Sequence, residues 1–192
     1  MPYPAQTNRT TIVATARALI EREGVEQLSL AGVATALGIK APSLYRHVAS
    51  RGALLHAVVM LTLEDLFAAY DASLATAPDE PRERLLAIFR AHRAFARANP
   101  RAYMLAFTTA ESEAESNERM LEQLVIPIQR IMAELVGEEH SLPALRGGLA
   151  LIHGFVMLEL NNQFRRGGSL DAAFESSIGA FLEGWDGRNG HG

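Results

Sequence analysis

Apolar residues recur at three- and four-residue spacing along nearly the whole chain, and no stretch shows the period-two alternation of a half-buried strand. That property limits the fold to helices packed on helices. Ile12, Ala16, Leu19 and Ile20 mark a first helix with Gly24 as its stop signal. Ser29 suits the cap of a short helix carrying Leu30, Val33, Ala34 and Leu37, which Gly38 ends. Pro42 fits only the first turn of the next helix, because deeper inside it removes a hydrogen bond and its ring clashes with the preceding turn. Leu44 and Val48 are that helix's inward pair, and Ser50 caps a long helix from Arg51 through Val58, Leu66 and Tyr70 to Leu74.

Further helices follow around Leu85–Phe95, up to Asn99-Pro100, then around Tyr103–Phe107 and around Leu124–Ile131, closed by Gly137. Ser141 is the expected start of a long helix to Phe164, and Leu170–Trp185 forms the last. The sequence therefore predicts an all-α chain of about nine helices. Residues 1–56 form a three-helix amino-terminal domain, and a long helix joins it to a helical body over 57–186. Residues 187–192 read as a flexible, glycine-rich tail.

Net charge is −4, but it is unevenly spread. Residues 1–56 carry six basic against three acidic side chains, whereas the remainder carries twelve against nineteen. A basic end on an acidic body suits a polyanion reader attached to something else. With no cysteine, disulfides, thiolate metal sites and a cysteine nucleophile are excluded. There is no HExxH, no phosphate-binding glycine loop and no G-x-S-x-G, so no enzyme, cofactor or metal is expected. Charge and glycine break the apolar stretches before about 18 residues, so no membrane span is expected. The first ten residues lack the apolar core of a signal peptide, and a cytoplasmic location is the expectation.

Residues 29–55, SLAGVATALGIKAPSLYRHVASRGALL, have the plan of a helix-turn-helix. In such a unit the first helix braces a second whose amino-terminal residues enter the major groove. Lys40 and Ser43 are placed to reach base edges, and Ala41 and Pro42 offer apolar contact, for instance to a thymine methyl. Tyr45, His47 and Arg51 lie further along, at phosphate level, and Ser29 and Arg46 complete the candidate DNA contacts. Read without further pattern, Tyr45 and His47 could equally be packing residues of a short helix.

The run LGIKAPSLYRHVASRGALL resembles the recognition segment of the TetR family of transcriptional regulators. It follows the pattern G-[VI]-x-x-x-[ST]-[LI]-Y-x-H-[FV]-x-x-K-x-x-L at Gly38, Ile39, Ser43, Leu44, Tyr45, His47, Val48 and Leu54. Arg51 stands where the pattern has Lys. The resemblance implies that Tyr45, His47 and Arg51 hold phosphates, while Ser43 and Lys40 read bases. The segments ALIHGFVMLELNNQF and HRAFARANPRAYMLAF resemble the WHG-type carboxy-terminal domain of some members of the family, without the tryptophan near His153.

On that resemblance the body binds an effector and dimerises. Phe89, His92, Tyr103, Met104, Phe107, His153 and Met157 are the candidate effector contacts, since apolar walls with a few polar groups suit a small hydrophobic molecule. Each of them singly is more readily a core residue than an effector contact. His153 stands beside Gly154, which is expected to let a neighbour approach closely. The last two helices are expected to pair with those of a second chain in a four-helix bundle. Leu149, Ile152, Val156, Phe174, Ile178, Phe181 and Trp185 are its candidate interface. Glu159 is expected to pair with an Arg across it. The leading expectation is a homodimeric repressor of a palindromic operator, released by a small hydrophobic effector. A regulator controlled by a protein partner, or an activator, is the alternative.

Overall fold

The computed structural model describes residues 8–108 and 114–186, and every regular element among them is helical. Helix α1 spans Arg9–Glu23, and one 3-10 turn follows at Val25–Gln27. Then come α2 (Leu30–Ala36), α3 (Ala41–Leu44), α4 (Arg51–Leu74), α5 (Pro81–Ala98) and α6 (Pro100–Thr108). Helices α7 (Ala114–Val136), α8 (Glu138–Leu160) and α9 (Leu170–Asp186) complete the series. The all-helical expectation holds among the described residues. The tail expected at 187–192 lies outside them.

The helices form two compact units. Among the described residues the first comprises 8–65 with 99–108, and the second 66–98 with 114–186. The division falls inside α4, between Asp65 and Leu66, and α6 belongs with the first unit.

Local rules set the element ends of the first unit. The Asn8 side chain accepts the Thr11 N–H at 2.8 Å to start α1. Gly24 then ends α1 at φ +96°, a conformation that L side chains rarely adopt. Ser29 Oγ accepts the Gly32 N–H at 3.0 Å, and Ser50 Oγ accepts the Ala53 N–H at 3.1 Å, so both serines cap their helices. Ile12, Ile20, Val33, Leu44 and Leu54 are fully buried in one core, joined by Leu105 of α6. Arg17 pairs with Asp65 of α4. One turn later on α1, Glu21 accepts the Arg101 and Ala102 N–H groups at 3.2 and 2.7 Å, capping α6.

In the second unit α7 and α8 are joined by Gly137 alone, at φ +80°. Helix α8 therefore starts at Glu138 rather than Ser141, because that glycine turns the chain at once. Ser141 is buried instead, donating to the Glu138 carbonyl at 2.9 Å and accepting from Gln129. The far end is also shorter than expected. Asn162 adopts φ +52°, and the Gln163 N–H reaches back to the Leu158 carbonyl at 2.8 Å, closing α8 at Leu160 instead of Phe164.

Gly148 of α8, like its neighbour Gly147, is closely approached by a ring. A Cβ at Gly148 would stand 3.0 Å from Phe89 and 3.3 Å from Phe181. Gly154, expected to allow such an approach, faces open space. Glu159 finds its arginine within its own chain: Arg93 of α5 donates to both its oxygens at 2.8 and 2.7 Å. Arg93 also pairs with Asp171 of α9 at 2.8 Å, and its guanidinium lies over the rings of Phe155 and Phe174. Hydrogen bonding to Glu159 holds its pKa above the usual arginine value. A buried charge needs such partners.

Helices α4 and α8 are each long and apolar enough, by length and composition, to cross a membrane. The expectation that charge breaks every such stretch is corrected, because a long apolar helix tolerates one or two charges per span. Both helices contribute to helical cores, through Leu54 and Val58 in α4 and through Ile152 and Val156 in α8.

A candidate nucleic-acid interface

The turn between α2 and α3 is made by Gly38 at φ +67°, with the Ile39 N–H bonded to the Ala34 carbonyl at 3.0 Å. The chain then enters α3 with Pro42 in its first turn, where a missing N–H costs nothing. Helix α3 ends at Leu44, short of the expected Val48, which lies just past the turn that follows; both residues are buried, which fixes how this segment is turned. Between Lys40 and His47, the residues that the sequence assigned to DNA then lie at or near the surface. Lys40, Pro42, Ser43, Arg46 and His47 are exposed and Ala41 is half-buried. Tyr45 keeps 56 % of its surface open, so it is not a packing residue. A tyrosine, an arginine and an imidazole together on one solvent face supply donors of the kind that phosphate oxygens accept.

Two residues assigned to DNA also serve the fold. Ser29 is exposed and caps α2, which leaves its hydroxyl proton available to a phosphate. Arg51 is exposed at the start of α4, and its guanidinium donates to two backbone carbonyls. Nε reaches Leu28 at 2.8 Å and Nη2 reaches Val25 at 2.6 Å.

The candidate effector contacts divide between the units. Tyr103, Met104 and Phe107 lie on α6 in the first, where Tyr103 is fully buried with its ring centroid 4.6 Å from that of Phe107. Burial pushes the Tyr103 hydroxyl pKa up. Phe89, His92, His153 and Met157 lie in the second unit. Phe89 is buried against Phe181 and Gly148. His92 is buried, with Nδ1 hydrogen-bonded to the Tyr70 hydroxyl at 2.5 Å. Burial and the nearby charge of His153 push the His92 pKa down to about 4, so its ring is neutral at pH 7. Burial also lowers the His153 pKa. Tyr70, which sequence reading treated only as part of an apolar stripe, thus joins this polar group. Nothing in the spacing of residues 70 and 92 announced it. A shallow cleft of about 380 Å³ in the same unit is lined by other residues, among them Ser73, Pro78, Ala87 and Arg90.

The candidate interface residues also divide. Ile152, Val156, Phe174 and Ile178 are buried in the chain's own core and have no surface for a second copy, which corrects their assignment. Periodicity reveals an apolar stripe without saying which body covers it. Leu149 is 48 % exposed, and Phe181 and Trp185 are half-buried. The open face of α8 carries Leu142 and Leu149 with Ala150 and half-buried Met157, while Leu158 is exposed on the opposite side of the helix.

Comparison with known proteins agrees with this geometry. Residues 12–58 match the family described as bacterial regulatory proteins, tetR family. Residues 85–181 match the tetracyclin repressor-like C-terminal domain. The chain is 30 % identical over 194 residues to an HTH-type transcriptional regulator of Mycobacterium tuberculosis, covering 98 % of this chain and 86 % of the relative. It is 27 % identical to another such regulator from Bacillus subtilis, covering 90 % of each chain. Among solved structures, a protein from Rhodococcus sp. RHA1 is similar in fold, with a TM-score of 0.85 at 23 % identity, covering 97 % of this chain and 99 % of that one. A TetR variant of Acinetobacter baumannii AYE in complex with minocycline is also similar, with a TM-score of 0.70 at 20 % identity, covering 94 % and 97 %. The chain belongs to the TetR family: it is a DNA-binding transcriptional regulator with a helix-turn-helix near its amino terminus, and not an enzyme.

Proposed function

We propose that the protein is a cytoplasmic, homodimeric repressor that leaves a palindromic operator when a small, largely hydrophobic effector binds its helical body. The observation that carries this reading is the open side of α8, where Leu142 and Leu149 are exposed two helical turns apart on one face. Large apolar side chains left exposed on one helix face mark an interaction site, and the Arg146 beside them suits its rim. The outward side of α9 complements it with small residues, Ala172, Ala173, Ser176 and Ala180, over which a partner helix can approach closely. An isologous pairing of these two helices brings two copies of α3 to one duplex. Heads about 34–36 Å apart read successive major grooves, so a small rigid-body shift of one head against the other costs much affinity. In the proposed contact, Lys40 and Ser43 read bases with Ala41 and Pro42 against them, and Ser29, Tyr45, Arg46 and His47 hold phosphates. The minocycline bound by the Acinetobacter relative supports a small-molecule effector.

The test is operator binding, measured by fluorescence anisotropy on a duplex selected from a random library, with and without a panel of hydrophobic compounds. At least one compound should release the protein. A compound that binds the protein tightly yet leaves its DNA affinity unchanged, with none that releases it, would contradict the mechanism.

A further inference from the structure

We propose that Arg51 is a positioning residue, clamping the root of the helix-turn-helix to the start of α4, and not a phosphate contact. Its planar guanidinium spans two carbonyl oxygens of the connection between α1 and α2, Leu28 at 2.8 Å and Val25 at 2.6 Å. Val25 opens the 3-10 turn, and Leu28 immediately precedes the Ser29 cap of α2. The Val25 carbonyl already accepts the Leu28 N–H at 3.2 Å, so Arg51 adds a second donor to the same oxygen. Leu28 is itself buried in the core of this unit. The clamp therefore ties the first residue of α4 to the segment from which α2 sets out, and α2 braces α3 through the Gly38 turn.

The chemistry of the side chain makes the arrangement specific. A guanidinium presents several N–H donors in a rigid fork, matched to two acceptors at fixed separation. A lysine ammonium is a point charge that can satisfy a phosphate but not hold two carbonyls in one plane. Donors aimed at Val25 and Leu28 are turned toward the chain's own backbone. A shift of α4 is thus passed to α2 through hydrogen bonds as well as through the chain.

This inference rests on the DNA-reading role of α3 and makes a prediction that the role alone does not. Arg51→Lys and Arg51→Ala are compared with the unchanged protein on the selected duplex and on mixed-sequence DNA, from low to moderate salt. Unfolding is followed by circular dichroism so that every titration runs well below the transition. Both variants should lose about tenfold or more in affinity for the selected duplex. Both should keep the affinity for mixed-sequence DNA and the salt slope of the unchanged protein, because no phosphate charge has been removed. If Arg51→Lys binds normally while Arg51→Ala loses about 0.9 from the salt slope, Arg51 is a phosphate contact and the proposal fails. A lower unfolding temperature with an unchanged ratio of specific to non-specific affinity also overturns it, since the clamp is then only structural. Absence of DNA binding by the unchanged protein is a separate outcome and overturns the DNA-reading role together with it.

Discussion

The carboxylate of Glu21 accepts the backbone N–H of Ala102 at 2.7 Å, so a residue of α1 caps a helix that begins 79 positions later. Its second oxygen takes the Arg101 N–H at 3.2 Å, and the Arg101 guanidinium returns to the Glu21 carbonyl at 3.0 Å. An acceptor at the first turn of a helix satisfies orphan N–H groups, and its charge matches the helix dipole. Glu21→Ala is expected to cost about 1–2 kcal/mol. Urea unfolding would measure the loss, and hydrogen exchange at Arg101 and Ala102 should quicken by more than the global change. Unchanged exchange at those two amides would show that α6 does not depend on this carboxylate.

What the sequence made legible was local. Ser29 and Ser50 cap helices three residues ahead, and Gly24, Gly38 and Gly137 turn the chain where a left-handed residue is required. Each of these is decided within a few residues, so spacing alone reveals it. The exposed set on α3 and the turn after it followed from the burial of Leu44 and Val48. Contacts of long sequence separation left no such trace. Arg93 with Glu159 joins residues 66 positions apart, and Tyr70 with His92 joins residues 22 apart. The Arg51 clamp reaches back 23 and 26 positions and was hidden behind a motif in which a basic residue already had a role. The stripe on α9 was legible as apolar, but only packing could show that Phe174 and Ile178 fill the chain's own core.

Two glycines of α8 should respond oppositely to alanine. At Gly148 the new methyl would meet the Phe89 ring at 3.0 Å and the Phe181 ring at 3.3 Å. Overpacking costs about 1–3 kcal/mol, against a gain in helix propensity of about 1 kcal/mol. Gly148→Ala should therefore lower stability by about 1 kcal/mol net. Gly154 faces open space, and Gly154→Ala should gain up to about 1 kcal/mol in helix propensity. Thermal unfolding of the two variants side by side would test the pair. A stabilised Gly148→Ala would mean that the two phenylalanine rings move aside freely.

Stability should depend on His92 in mildly acidic solution. Its pKa falls from 6.5 to about 4 on folding, so between those values the unfolded chain binds more protons than the folded one. Stability then rises with pH across that window. The contribution is complete above about 6.5 and is lost as pH falls toward 4, with a total on the order of 3 kcal/mol. His92→Gln keeps a polar partner for the Tyr70 hydroxyl but cannot titrate. The difference in unfolding free energy between the two proteins should accordingly shrink from pH 7 to pH 4. A difference independent of pH would mean that the ring is already free to ionise in the folded state.

Leu149 tests the proposed homodimer most directly. It is 48 % exposed on α8, between Leu142 two helical turns earlier and half-buried Met157 further along. A glutamate at this position keeps a good helix former and meets water in the isolated chain, so folding should change by no more than about 0.5 kcal/mol. Facing its own image across a two-fold axis, the same carboxylate would stand near a second one in a desolvated contact, a costly arrangement. Leu149→Glu is expected to sediment as a monomer with an unchanged helical circular dichroism spectrum. Its affinity for a palindromic duplex should fall steeply, because one recognition head then binds without its pair. Binding to a single half-site should be nearly unaltered, since α3 lies far from the substitution in sequence and keeps its own core. A variant that remains dimeric would exclude this face of α8 as the contact between copies.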